Sequence, residues 1–295
     1  MESIALTIDS RKIICPAKTS ILEAAEQNGI KIPKLCYHPD LKPFGACRWC
    51  LVEEEKTGRL MASCVTPVAP DMIIQTTNER ITKHRRNIAR LMIAEHPDSC
   101  IVCNKGNCCQ LRWVAAQLGV GETDLYHMPN YKPFEEANPF ITRDLSKCIL
   151  CGKCIRADHE LVGVGAIDYN LRGFSSRPAT AHERGLEESS CTFCGTCVSM
   201  CPTGALSARN SRYVGSPEKE AVSICGFCAV GCSLAMGASD EHIVEVNPAE
   251  LPDSVNKATL CVRGHFAHDF LNSPRRLISP LGRKSKEAKK GELVP

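Results

Sequence analysis

Eighteen of the twenty cysteines fall into five groups spaced like iron–sulfur ligands. In chain order they are Cys36-x10-Cys47-x2-Cys50-x13-Cys64; His96-x3-Cys100-x2-Cys103-x5-Cys109; Cys148-x2-Cys151-x2-Cys154; Cys191-x2-Cys194-x2-Cys197-x3-Cys201-Pro202; and Cys225-x2-Cys228-x3-Cys232-x28-Cys261. Thiolates bond iron strongly, and two-residue gaps let neighbouring thiolates converge on one cuboidal cluster. Only Cys15 and Cys108 stand outside the groups. The chain therefore reads as a path for electrons.

At 295 residues the chain is expected to hold two or more domains. Aromatic residues make up only 5% of it, so metal centres are expected to replace part of the core in several small units. A net charge of +3 is too mild to imply nucleic acid. The basic run Arg283-Lys284-Ser285-Lys286 with Lys289 and Lys290 is expected to be a solvated tail. The opening MESIALTIDSRK has no long apolar core and no small-residue cleavage site, so no export signal is expected. No run of about 18 apolar residues offers a membrane span. Repeated C-x2-C triplets without an export signal point to metal rather than disulfides, and to a cytoplasmic compartment.

Residues 3–8 and 11–15 alternate like two strands joined at Asp9-Ser10. Ser20 is placed to cap a helix from Ile21 to Asn28 that Gly29 stops. A cysteine loop and three further strand-like segments (CLVEEE, RLMASC, MIIQTT) follow, the order expected of a plant-type ferredoxin domain. Cys15 is then a buried strand thiol. A helix is expected from Asn78 to Glu95 with Ile81, Ile88, Leu91 and Met92 on one side. Pro97 ends it just after His96, an imidazole placed to be an iron ligand. QLRWVAAQL, closed by Gly119, reads as another helix, and the glycines and prolines of 119–140 as a wrapping linker.

The third and fourth groups form an internal repeat. In two-cluster ferredoxins the fourth cysteine of each motif serves the other cluster. Cys148, Cys151 and Cys154 should therefore share a cluster with Cys201. Cys191, Cys194 and Cys197 should take their fourth ligand from position 158, which holds Asp158, followed by His159. Asp158 as a carboxylate ligand, a [3Fe–4S] cluster with that corner open, and a surface Asp158 with His159 or water in the corner all remain open readings. Around the fifth group, CSLAMGA and HIVEVNP read as two short strands, the second ended by Pro248.

LCYHPDLKPFGACRWCLVE, the histidine-headed block and SSCTFCGTCVSMCPTGAL resemble the amino-terminal half of the large subunit of cytoplasmic formate dehydrogenases. ICGFCAVGC and LCVRGHFAHDFLNSPRRLISPL resemble the opening of their molybdopterin region. The resemblance implies an α+β chain of four units: a plant-type [2Fe–2S] ferredoxin (β-grasp) domain at 1–79, a small helical domain with a histidine-ligated [4Fe–4S] cluster at 80–119, a two-cluster ferredoxin-like domain at 138–212, and a small [4Fe–4S] domain of molybdopterin oxidoreductases at 218–275. A linker at 120–137 and a basic tail at 276–295 complete it. The first two sites and one like Cys148, Cys151, Cys154 and Cys201 are shared with the large iron–sulfur subunit of respiratory complex I, which generally lacks the triplet at Cys191, Cys194 and Cys197. Iron–iron hydrogenases share the front four sites. The family's x5 spacing favours Cys109 over Cys108 as ligand. Arg263 stands where formate dehydrogenases usually have a lysine between the last cluster and the pterin.

The resemblance implies an electron relay with a pterin-bearing catalytic polypeptide on one side. On the other stands a flavin and NAD(P) subunit or a ferredoxin. The alternative is a relay of a hydrogenase, complex-I-like or bifurcating complex without a pterin site. A zinc-binding interaction protein is the third class, disfavoured because C-x2-C-x2-C-x3-C-P is a ferredoxin pattern. No nucleophile motif, phosphate loop or dinucleotide fingerprint is recognisable. The residues expected to bind pterin and substrate are not in this sequence, so the chain alone should catalyse no formate chemistry. One two-iron and four four-iron sites give about 18 iron atoms per loaded chain. Iron analysis of anaerobically prepared protein should return that figure; a stable value near half would defeat the five-cluster reading.

Overall fold

The computed structural model describes residues 3–121, 125, 129, 132, 134, 135, 137–211, 216–287, 289, 290, 293 and 294. Much of the expected linker at 120–137 and the last stretch of the tail therefore lie outside the described residues. The structure is mixed α/β, and no helix among the described residues is long and apolar enough to cross a membrane.

Alternation in the first residues does produce two strands, β1 (Ser3–Ile8) and β2 (Arg11–Pro16), paired antiparallel. They bury Leu6, Ile8, Ile13 and Cys15. Helix α1 (Ile21–Gln27) starts from a capping box: Ser20 Oγ accepts from the Glu23 amide at 3.2 Å, and the Ser20 amide donates to Glu23 Oε2 at 2.9 Å. Strands β3 (Leu51–Glu54), β4 (Arg59–Ala62) and β5 (Ile73–Gln75) complete a sheet of order β2-β1-β5-β3-β4. The α1 face of Ile21, Leu22, Ala24 and Ala25 packs on it in a core that includes Cys50 and Cys64. The cysteine loop is thereby fixed at both ends.

Helix α2 (Glu79–Glu95) is capped by Asn78, whose Oδ1 accepts from the Ile81 amide at 2.8 Å. Its buried face is Ile81, Arg85 and Ala89, with Ile88 and Met92 packed alongside. Leu91 does not share that face as expected and is 60% exposed; at about 100° per residue it falls on the flank. Trp49, fully buried, donates Nε1 to Met92 Sδ at 3.4 Å, so α2 lies directly on the first cysteine loop. Helix α3 (Gln110–Gln117) joins the same apolar cluster, which contains Cys36, Cys47, Cys109 and Cys151. Three of the five motifs thus share one core.

The two-motif repeat is built as two copies of one backbone turn. Leu150 and Phe193 both have positive φ (54° and 53°), and each donates its amide to the sulfur two residues earlier, Cys148 and Cys191, at 3.4 Å. Each turn leads through a left-handed glycine, Gly152 or Gly195, into a short helix, α4 (Lys153–Arg156) or α5 (Thr196–Met200). A single π turn, Ala157–Val162, extends α4. Sequence reading did not anticipate the sheet that ties the unit together. Strands β6 (Phe134–Glu135) and β7 (Ile141–Asp144) pair with each other, and β7 pairs with β10 (Leu206–Ala208). A side hairpin, β8 (Asp168–Asn170) with β9 (Arg177–Ala179), flanks it.

The last unit is the sheet β11 (Lys219–Ile224), β12 (Ser233–Ser239) and β13 (His242–Pro248) with helix α6 (Val262–Phe266). Gly282–Arg283 and Leu293–Val294 form a short exposed ladder in the tail. Phe266 and Val262 of α6 pack into the core that holds Cys154, Cys191, Cys197 and Cys201. The His265 ring lies over Gly195: a Cβ there would stand 2.5 Å from His265 Cγ. Gly195→Ala meets both that ring and a φ of +79°, whereas Gly163→Ala meets only a φ of +74° with open space around it. The backbone strain alone should cost about 1 kcal/mol. Thermal unfolding should therefore place Gly195→Ala well below Gly163→Ala; equal losses would show that the His265 contact is slack.

Candidate metal centres

The first group draws Cys36, Cys47 and Cys50 from the loop between α1 and β3, and Cys64 from the turn just after β4. Cys36, Cys47, Cys50 and Cys64 are all buried, the Cys47 amide points at Cys36 Sγ at 3.5 Å, and Cys50 and Cys64 sulfurs lie 3.3 Å apart. A hydrogen bond from Cys47 lowers the Cys36 thiol pKa, and one from Cys64 lowers that of Cys50. Cys47 and Cys64 are pushed up by the same hydrogen bonds and by burial. Four buried sulfurs thus face one another in a single pocket, the convergence that a thiolate-ligated cluster needs.

His96 caps α2 at its C-terminal end. Its Nδ1 faces the Pro97 carbonyl at 3.2 Å, which orients the ring for bonding through Nε2. Burial lowers its pKa, so the imidazole is neutral, the form that binds metal. His96, Cys100 and Cys109 line one cavity. Cys108 lines a different one, with Lys105 and Cys201. Cys103 completes the motif beside Gly204, where any Cβ would overlap its Sγ. A second cavity is lined by His96 together with Cys148, the first cysteine of the next group.

Cys151 and Cys154 are buried and Cys148 half-buried. Burial raises Cys148 to about 11 and Cys151 to about 12, with the Cys201 charge adding to both, and raises Cys154 well above the ordinary thiol range. Protonated thiols at this depth give up their protons to a coordinated metal. Thr203, two residues past Cys201, donates its hydroxyl to the Lys147 carbonyl at 2.7 Å and holds the Cys201 turn against the Cys148 turn.

Asp158 lines the same small cavity as Cys191, Cys194 and Cys197. Its Oδ2 accepts from the Ile167 amide at 3.0 Å, and the π turn carries its carbonyl to the Gly163 amide at 2.8 Å. His159 is exposed and its Nε2 faces the Ile167 carbonyl at 3.1 Å. The carboxylate of Asp158, and not the imidazole of His159, lines the cavity of the three cysteines.

At the fifth group Cys225 is buried while Cys228 and Cys261 are exposed. Burial raises Cys232, and the charges of Cys225, Cys228 and Cys261 add to it, so the four lie within electrostatic reach. Arg263 is exposed on α6 two residues past Cys261. Phe227 and Phe270 are exposed beside this site, edge to face at 5.8 Å.

Among the described residues no three His, Cys, Asp or Glu side chains stand close enough to share one metal ion. A cuboidal cluster asks for another arrangement, one ligand on each iron, and the paired amide-to-sulfur bonds at Cys148 and Cys191 suit it. Sequence reading missed Arg85 and His265, which hold the loops in register. A cation inside the apolar stripe of α2 was the one visible signal; nothing marked His265.

Four family models match in order: a 2Fe-2S iron-sulfur cluster binding domain at 1–79, an NADH-ubiquinone oxidoreductase-G iron-sulfur binding region at 85–124, a 4Fe-4S dicluster domain at 147–205, and a molybdopterin oxidoreductase Fe4S4 domain at 218–273. The chain is 35% identical over 280 residues to the NADPH-Fe(3+) oxidoreductase subunit alpha of Geobacter sulfurreducens, covering 94% of this chain and 33% of that protein. It is 35% identical over 300 residues to the NADH-quinone oxidoreductase G 2 polypeptide of Rhizobium meliloti, covering 99% and 34%. A solved chain of an NAD+-reducing [NiFe]-hydrogenase in the H2-reduced state is 30% identical with a TM-score of 0.62, covering 72% of this chain and 90% of that one. The chain spans about a third of the length of the curated relatives.

Three thiolates and a carboxylate should hold their fourth iron less tightly than four thiolates. Asp158→Cys should keep four irons at that site through mild oxidation, while the wild type shows a [3Fe–4S] EPR signal. Identical spectra and iron content in the two proteins would remove Asp158 from the corner. Matched motifs, buried thiols and relatives agree on one identity: the chain belongs to the iron–sulfur, electron-transferring region of the NADH-quinone oxidoreductase G and molybdopterin oxidoreductase family.

Proposed function

We propose that the chain is the electron relay of a formate dehydrogenase-like molybdenum or tungsten oxidoreductase. It would run between a pterin site on another polypeptide or segment and a flavin and NAD(P) or ferredoxin partner. The bound clusters would supply one-electron transfer; the chain supplies their order, spacing and environment. Cys36, Cys47, Cys50 and Cys64 hold a [2Fe–2S] cluster in a β-grasp domain. His96, Cys100, Cys103 and Cys109 hold the second cluster; Cys148, Cys151, Cys154 and Cys201 the third; Cys191, Cys194, Cys197 and Asp158 the fourth; Cys225, Cys228, Cys232 and Cys261 the fifth. The last four are [4Fe–4S], the fourth of them prone to the [3Fe–4S] form. Arg263, exposed beyond Cys261, offers a cation toward a pterin.

The observation that carries the reading is continuity. One apolar core joins Cys36 and Cys47 to Cys109 and Cys151. A second joins Cys154, Cys191, Cys197 and Cys201 to Val262 and Phe266, the helix that follows Cys261. A relay needs its sites packed in succession without gaps, and a set of separate metal-stabilised modules does not.

The hydrogenase-type alternative is favoured by one finding, the likeness covering 90% of a chain from an NAD+-reducing [NiFe]-hydrogenase. Tagged chain isolated anaerobically from its own cells should bring down a flavin-containing NAD(P)-linked protein. Molybdenum or tungsten in the complex supports the formate-type reading, and nickel the hydrogenase type. A complex with no flavin, pterin metal or nickel would overturn both.

A further inference from the structure

Helix α2 carries a charge where its pattern calls for hydrocarbon. Arg85 lies between Ile81 and Ala89 on the buried face and is only 4% exposed. Its Nε donates to the Trp49 carbonyl at 2.9 Å and its Nη2 to the Leu51 carbonyl at 2.7 Å, the residues on either side of Cys50. Burial pulls its pKa down to about 10, and the charges of Cys50 and Asp9 oppose that shift. Asp9 is itself engaged, accepting from the Thr76 amide and hydroxyl. A guanidinium taken out of water is strongly disfavoured unless an anion faces it. The group next to it is the first metal site, whose negative charge grows by one on reduction.

We infer that Arg85 is the counter-charge of the first cluster and raises its reduction potential. A fixed buried cation stabilises the reduced, more negative state over the oxidised one, and low local polarizability lets little solvent screen it. The match to the 2Fe-2S binding domain ends at 79, and the next begins at 85. The cation therefore comes from the neighbouring module, so the potential of the first site is set from outside its own domain. The planar fork suits this role, because two carbonyls fix the charge beside the ligand loop.

The inference rests on the first site holding a [2Fe–2S] cluster, which the [2Fe–2S] EPR signal of wild-type protein checks separately. EPR-monitored redox titration is then run on Arg85→Gln, Arg85→Met and Arg85→Lys. Each neutral variant should lose at least tenfold in the reduced-to-oxidised ratio of that signal at fixed ambient potential, which is 59 mV for a one-electron couple. Arg85→Lys should stay near wild type, and the other clusters should not move. Cluster assembly in Arg85→Lys but in neither neutral variant also supports a charge requirement. Wild-type potentials in the neutral variants, a fall in Arg85→Lys as large as in Arg85→Gln, or loss of the cluster in all three would overturn it and leave Arg85 a packing residue.

Discussion

Buried sulfur is the constraint everything else in this chain answers to. Thiolates taken out of water need hydrogen bonds, cations or metal to be tolerable. The backbone responds locally, with amides of Cys47, Leu150 and Phe193 turned onto Cys36, Cys148 and Cys191. Two of those amides are aimed only because Leu150 and Phe193 accept left-handed backbone, a strain of order 1 kcal/mol that the turn must offset. The side chains respond at longer range. Arg85 reaches the first loop, and Lys105 donates Nζ to the Val198 and Cys201 carbonyls at 2.7 and 3.0 Å. The small cores between motifs follow from the same demand, since they are what remains when loops must wrap metal.

Elements whose signals are local were legible from the sequence. The β1–β2 pair, the Ser20 cap, the Asn78 start of α2, and strands β12 and β13 all follow from alternation, capping chemistry or periodicity. Elements whose cause is distant were not. The pairing of β7 with β10 joins segments more than sixty residues apart, and β11 has an exposed face that gives little contrast. The π turn after α4 has no composition of its own. Leu91 shows the limit of periodicity read loosely: an apolar residue one step off the stripe is a surface residue.

The candidate site divides along the same line. Motif spacing picked out the thiolates and placed Asp158 where the repeat lacks a cysteine, and Asp158 does share a cavity with Cys191, Cys194 and Cys197. What spacing could not tell is which surfaces touch. The close approach of Cys103 to Gly204, the stacking of His265 over Gly195 and the grip of Arg156 on the Cys36 and Lys42 carbonyls are tertiary facts. They decide how near one motif lies to the next, which for a relay matters as much as the ligands do.

Helix α2 has one more implication, for how such chains are divided and recombined. Family boundaries put a seam between residues 79 and 85, and α2 starts at Glu79. Physically there is no seam. The helix covers Trp49, holds the Cys50 loop through the Arg85 bonds to the Trp49 and Leu51 carbonyls, and ends at His96, all on one rod. Cut there, the front module would lose the lid over its only tryptophan and expose two carbonyls and an anionic loop. The smallest piece that keeps these contacts is therefore longer than the first matched module: it carries the first cysteine loop together with the whole helix that His96 caps.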